Sequence, residues 1–192
     1  MARLNKIIKA LIISDAFFLS AIGILTPIFA IFLISQIDGG TIEVAGIAAA
    51  IYLIVRTIFL LPVSNLIDKK KGEYDDLFFL VSGLVVMALT MILYTFAKTV
   101  WNIYLLQAVL GVGAAMHYPA WYVLFTRHIG KFREGFAWGV YEVVIGISGA
   151  LTVSAGAFVA NIFGFEVLFL VVAMLILAGA FMPLLFLQAV TI

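Results

Sequence analysis

The chain has 192 residues, 66% of them hydrophobic and 11% charged, and a mean hydropathy of +1.26. A soluble core of that size cannot hide so much apolar surface, so most of the chain has lipid as its solvent. A net charge of +1 gives no basic surface for nucleic acid, and the absence of cysteine excludes disulfides, thiolate catalysis and Cys-ligated metals.

A helix needs about 20 apolar residues to cross the hydrocarbon. Six such runs are present, at about 10–34, 44–67, 77–97, 100–125, 136–160 and 165–187. The turns between them are too short for a soluble domain, so residues 1–192 read as one all-α domain of six transmembrane helices. The first run follows Arg3, Lys6 and Lys9 as in a secretory signal. It exceeds the roughly 7–15 apolar residues of such signals, so a retained helix is expected.

Lys and Arg are enriched in cytoplasmic turns. With the N-terminus inside, the cytoplasmic side holds Arg3, Lys6, Lys9, Lys69, Lys70, Lys71, Arg127, Lys131 and Arg133, against Lys98 on the other side. This bias predicts both termini inside in a multi-pass cell-membrane protein and argues against antiparallel dimers of dual topology.

All four prolines, Pro27, Pro62, Pro119 and Pro183, fall inside predicted spans. Neighbouring helices can satisfy the carbonyls they free. The first span carries Asp15, Gly23 and Pro27, and the fourth carries Gly111, Gly113 and Pro119 at comparable distances from its start. Interruptions at matching places in two oppositely oriented three-helix units are the pattern of inverted repeats around a transport site.

The second span holds Arg56 about 12 residues from either end, where Arg costs roughly 2.5–3.5 kcal/mol on insertion scales. Such a charge must be paired or line water. Glu142 in the fifth span is the expected partner, differing in depth by roughly 7 Å at ~1.5 Å per residue. Asp15 is shallower. The bland alternative is a static pair that locks two helices.

The third and sixth spans are almost free of polar residues and are expected at the lipid-facing periphery. In the fourth span, His117 is open to two readings, a proton or substrate group or a hydrogen-bonded packing residue. Asn102, Gln107, Tyr52 and Trp138 are further candidates to line a cavity, while His128 belongs to the basic cytoplasmic turn. The fifth span carries Gly135, Gly139, Gly146 and Gly149. Small residues let helix backbones approach, so this helix is expected to pack on more than one side.

Gly146-Ile147-Ser148-Gly149 resembles the nucleophile motif of rhomboid intramembrane proteases. That chemistry needs a base, and in that family the His lies on a later helix, whereas both histidines here precede Ser148. The reading is therefore not an enzyme, with no cofactor and no metal site.

The stretch Ser64-Asn65-Leu66-Ile67-Asp68-Lys69-Lys70-Lys71-Gly72 resembles motif A of the major facilitator superfamily, G-x-L-a-D-r-x-G-r-k. Leu66, Asp68 and Lys69 match in place, Ser64 replaces the first glycine, Gly72 comes one residue late, and acidic residues replace the following basic pair. Gln107 with Gly111, Gly113 and Ala114 resembles the fourth-helix motif R-x-x-x-G-x-G-a with Gln for Arg. Arg133-Glu134-Gly135 resembles the usual start of the fifth helix. The proline-bearing fifth-helix signature of drug antiporters is absent.

The resemblance implies one six-helix bundle of 3+3 inverted repeats, half of the usual twelve spans. It implies a secondary transporter of a small solute working by alternating access, as a parallel homodimer if the chain acts alone. In the family the second helix of one bundle meets the fifth of the other. Asp68 would then lie near the partner's Gly135, at a helix N-terminus that favours an anion. Arg56 would meet the partner's Glu142 as a gate. Asp15 and His117, with Gln107 and Tyr52, become candidates for substrate or proton binding. The competing reading is a non-transporting scaffold, or a subunit awaiting a second six-helix chain; the protease is a remote third.

Overall fold

The computed structural model describes residues 5–69 and 72–188, with side chains described to residue 185. Arg3, Lys70 and Lys71 of the charge count lie outside the described residues. The chain is all-helical: α1 Lys6–Gln36, α2 Ile42–Lys69, α3 Glu73–Tyr94, α4 Val100–His128 and α5 Glu134–Gln188. All five are long and apolar enough to cross a membrane.

Local chemistry sets the ends. The Asn5 side chain accepts from the Ile7 amide at the start of α1. Thr99 and Asn102 form a reciprocal capping box at the start of α4, which satisfies amides that have no partner within the helix. Asn102, expected to line a cavity, is used up here. The first turn of α3 carries Glu73, Asp75 and Asp76, the sign that the positive end of a helix favours. All four prolines lie inside helices, as expected.

At 55 residues, α5 would run roughly 80 Å if straight, against about 30 Å of hydrocarbon. It does not run straight. Gly164 has φ 82° and ψ 172°, and two helical arms, 134–163 and 165–188, meet there across a kink. Positive φ is open to glycine at no steric cost.

Helix α1 packs along α5, α4 packs against both α2 and α3, and α3 closes against α5, while α1 meets α4 mainly through side chains. The core is aromatic at both ends. Tyr94 stacks on Phe169 at 5.2 Å, with Phe29 and Phe32 edge-on to it. At the other end Trp121 stacks on Phe125 at 4.7 Å, and Trp138 and Tyr141 close around them. Trp138, a candidate to line a cavity, packs partly buried against this core.

Three expectations change. Helix α3 and the second arm of α5 are not peripheral. Leu80, Leu84, Met87, Ala88 and Met91 of α3, with Leu168, Phe169, Val172 and Ile176 of α5, are buried, whereas α2 buries Ala48, Val63 and Ile67 alone among its described residues. Second, Gly23, Gly111 and Gly113 do not interrupt their helices, since α1 and α4 run unbroken through them. A Cβ on Gly113 would come 2.7 Å from Met87 Cγ and one on Gly111 2.8 Å from the Tyr52 carbonyl, so these glycines bring α3 and α2 close to α4.

Third, Gly135, Gly139, Gly146 and Gly149 do not pack helices within this chain. A Cβ added at any of the four would meet nothing within 4 Å. They face away from the other helices, and the contact with α1 is made instead by Gly156, where a Cβ would lie 2.6 Å from the Ile24 carbonyl.

Candidate functional site

Asp15 on α1 is 3% exposed. Its Oδ2 accepts a 2.6 Å hydrogen bond from the Tyr141 hydroxyl on α5, and its Oδ1 lies 3.4 Å from His117 Nε2 on α4. The tyrosine bond is the short one; the histidine contact is longer than the about 2.7–2.9 Å of a charge-assisted bond. His117 is fully buried, its ring lies 4.7 Å from Phe18, and its Nδ1 has no hydrogen-bond partner among the described residues. Two groups expected separately thus form one cluster, a carboxylate and an imidazole in direct contact. Tyr141, adjacent to Glu142 in sequence, was the missed member.

Arg56 does not pair with Glu142 in the single chain. Glu142 is exposed on the first arm of α5, while α2 packs on α4. The Arg56 guanidinium instead sits 4.2 Å over the ring of Tyr118. Arg56 is half-buried, and a cation–π contact that is not fully desolvated is worth about 0.5–1 kcal/mol, which offsets only part of the ~2.5–3.5 kcal/mol insertion cost of a mid-membrane Arg. The residue before Pro119, not a carboxylate, is the partner. An arginine at mid-span was the signal; only the fold names the ring beneath it.

A cavity of about 320 Å³ opens between α1, α2, α3 and α4, with Phe18, Phe29, Tyr52, Gln107 and Tyr118 among its walls. Tyr52 and Gln107 both line it. A groove of about 310 Å³ on the other side of Tyr118 is lined by Arg56, Ser64, Asp68 and Tyr122. His117 is one residue from the shared wall, so the buried cluster and the open cavity meet at α4.

At the ends of α3 and α4 the Arg127 guanidinium binds fully buried Asp76, and His128 Nε2 lies 3.2 Å from Glu73. Glu73 and Asp76, which follow the motif-like stretch, thus bind the last turn of α4, and His128 lies against Glu73. Asp68 and Lys69 end α2 exposed, and Gly72 is the N-cap of α3 in an extended conformation.

The family model of the major facilitator superfamily matches residues 11–191. The chain belongs to the major facilitator superfamily. It is similar to an uncharacterized MFS-type transporter of Methanocaldococcus jannaschii, 24% identical over 169 residues, a match that covers 88% of this chain and 42% of the relative. The chain thus spans less than half the length of the relative it matches. Superfamily membership and the long apolar helices make this a multi-pass membrane protein of a transporter family. In that setting Ser148 has a local role, its hydroxyl donating to the Val144 carbonyl one turn back at 2.8 Å.

Proposed function

We propose that this chain is a half-size secondary active transporter of a small solute, working by alternating access as a parallel homodimer. In this reading the two arms of α5 are the fifth and sixth spans, which puts the termini on one side of a cell membrane, and the Lys/Arg bias makes that side the cytoplasm. One observation carries the reading. A buried carboxylate and imidazole and a half-buried phenol from three helices meet beside an open cavity, the arrangement expected where proton binding is coupled to a solute. Protonation of the Asp15–His117 pair removes the cost of a buried charge and biases one arrangement of the helices over another.

The bare faces of α2 and the first arm of α5, with Leu61 72% and Leu151 70% exposed, flank this cavity and support a second bundle docking there. A second reading, a subunit completed by a different six-helix chain, draws on the 42% coverage of the relative.

The absence of cysteine makes the test simple. Thr26 and Ala49 line the cavity. Thr26→Cys and Ala49→Cys, each in oriented membrane vesicles, are exposed to a membrane-impermeant maleimide from one side and then from the other. Alternating access predicts labelling of both positions from either side. Labelling from neither side would mean a sealed scaffold and would retire the proposal.

A further inference from the structure

Arg56 stands mid-way along α2, fourteen residues after Ile42 and thirteen before Lys69. The Tyr118 ring beneath it attracts the charge, but an aromatic face does not take up the guanidinium's five in-plane N–H donors as a carboxylate does. Among the described residues no carboxylate pairs with Arg56. Asp15 is the acidic group packed nearest this cavity, and it is buried with both oxygens engaged by Tyr141 and His117. The Tyr52 side chain one turn back also interacts with Arg56 but carries no charge, so the charge that lacks a counter-ion among the described residues beside the groove is a cation.

The cavity itself is apolar over most of its wall, with Phe18, Ile22, Leu25, Phe29 and Leu110 around it. Tyr118 separates it from the groove that holds Arg56. Asp68 lines the same groove but lies twelve residues further along α2, roughly 18 Å at ~1.5 Å per residue. That is too far for it to neutralise Arg56, yet its charge at the groove's end disfavours a second negative charge there.

We infer that Arg56 is the anion-recognition group of the transport site and that the solute is an organic monoanion. Its carboxylate takes the N–H fork of Arg56 in the groove, and its apolar body lies along Leu60, Ile67 and Val123 of the same groove. This inference deepens the transporter reading and rests on it for the solute's being moved as well as bound.

The experiment is equilibrium binding of radiolabelled benzoate to the purified full chain in lipid nanodiscs, with benzamide and benzylamine as near-isosteric competitors of different charge. Benzoate is expected to bind, with both competitors at least about tenfold weaker, as the loss of a charge-assisted hydrogen-bonded pair implies. Arg56→Gln should weaken benzoate about 10- to 100-fold, and Arg56→Lys, which keeps the charge and guards against misfolding, should retain part of the binding. Lys98→Gln, removing a cation at the far rim, should stay within about twofold, since exposed charges at that distance are screened.

Equal competition by benzamide or benzylamine, unchanged binding in Arg56→Gln, or no benzoate binding up to about 10 mM would overturn the inference. Binding needs no transport, so the two readings fail separately. Arg56-dependent binding without two-sided labelling at Thr26→Cys and Ala49→Cys keeps the anion site and retires the transporter. Two-sided labelling without benzoate binding does the reverse.

Discussion

Gly83→Ala and Gly139→Ala are the same chemical change in two membrane helices, and the fold gives them opposite signs. At Gly83 on α3 the new methyl would sit 2.6 Å from the Gly113 carbonyl oxygen and 2.7 Å from the His117 amide nitrogen on α4, both backbone atoms. Ordinary carbon contacts need about 3.5–4.0 Å, so the two helices must separate by roughly 1 Å along much of their shared face. Overpacking of this kind costs typically about 1–3 kcal/mol, less a propensity gain of up to about 1 kcal/mol from replacing Gly with Ala. At Gly139 the methyl meets nothing within 4 Å, so only the gain of up to about 1 kcal/mol remains. Thermal unfolding in mild detergent, followed by tryptophan fluorescence, should place Gly83→Ala below and Gly139→Ala at or above the unsubstituted chain. A Gly83→Ala variant as stable as Gly139→Ala would refute the close approach of α3 and α4. Because the displaced backbone carries His117, Gly83→Ala should also weaken the His117–Asp15 contact, already 3.4 Å.

Arg127→Gln should destabilise the chain by about 1–3 kcal/mol, because it strands a fully buried carboxylate at Asp76 while Arg127 itself is partly solvated. Adding Asp76→Asn should recover part of that loss in the same unfolding assay, and a strictly additive double variant would remove the coupling. Leu66 and Phe136, 47% and 52% exposed, lie near the same ends of α2 and of the first arm of α5. Cys at both in one chain should yield an oxidative dimer in native membranes that neither single variant gives. Monomer alone would favour the subunit reading, with a different six-helix chain as partner.

The elements themselves were legible in the sequence because the forces that set them are local. Hydropathy marks the long apolar helices, and charge placement together with the motif-like residues around Asp68 points to the family. The faces of those helices were not legible. A soluble helix advertises its buried side by polar residues on the other, but in lipid both sides are apolar, so glycine spacing alone could not say that Gly156 and Gly83 pack while Gly139 and Gly146 look outward. For the same reason α3 passed for a peripheral helix on composition and proved to be a core one.

By itself, then, the sequence determined a chain of lipid-spanning helices of the major facilitator superfamily and drew attention to Asp15, Arg56 and His117, since polar groups in an apolar run are costly and stand out. What only the tertiary structure decided is who meets whom. Asp15 finds His117 and Tyr141 at separations of 102 and 126 residues, and Arg56 finds Tyr118 rather than Glu142. Nothing local encodes such meetings, because they depend on the rotation of each helix about its axis, which close backbone packing at a few glycines sets across the whole bundle.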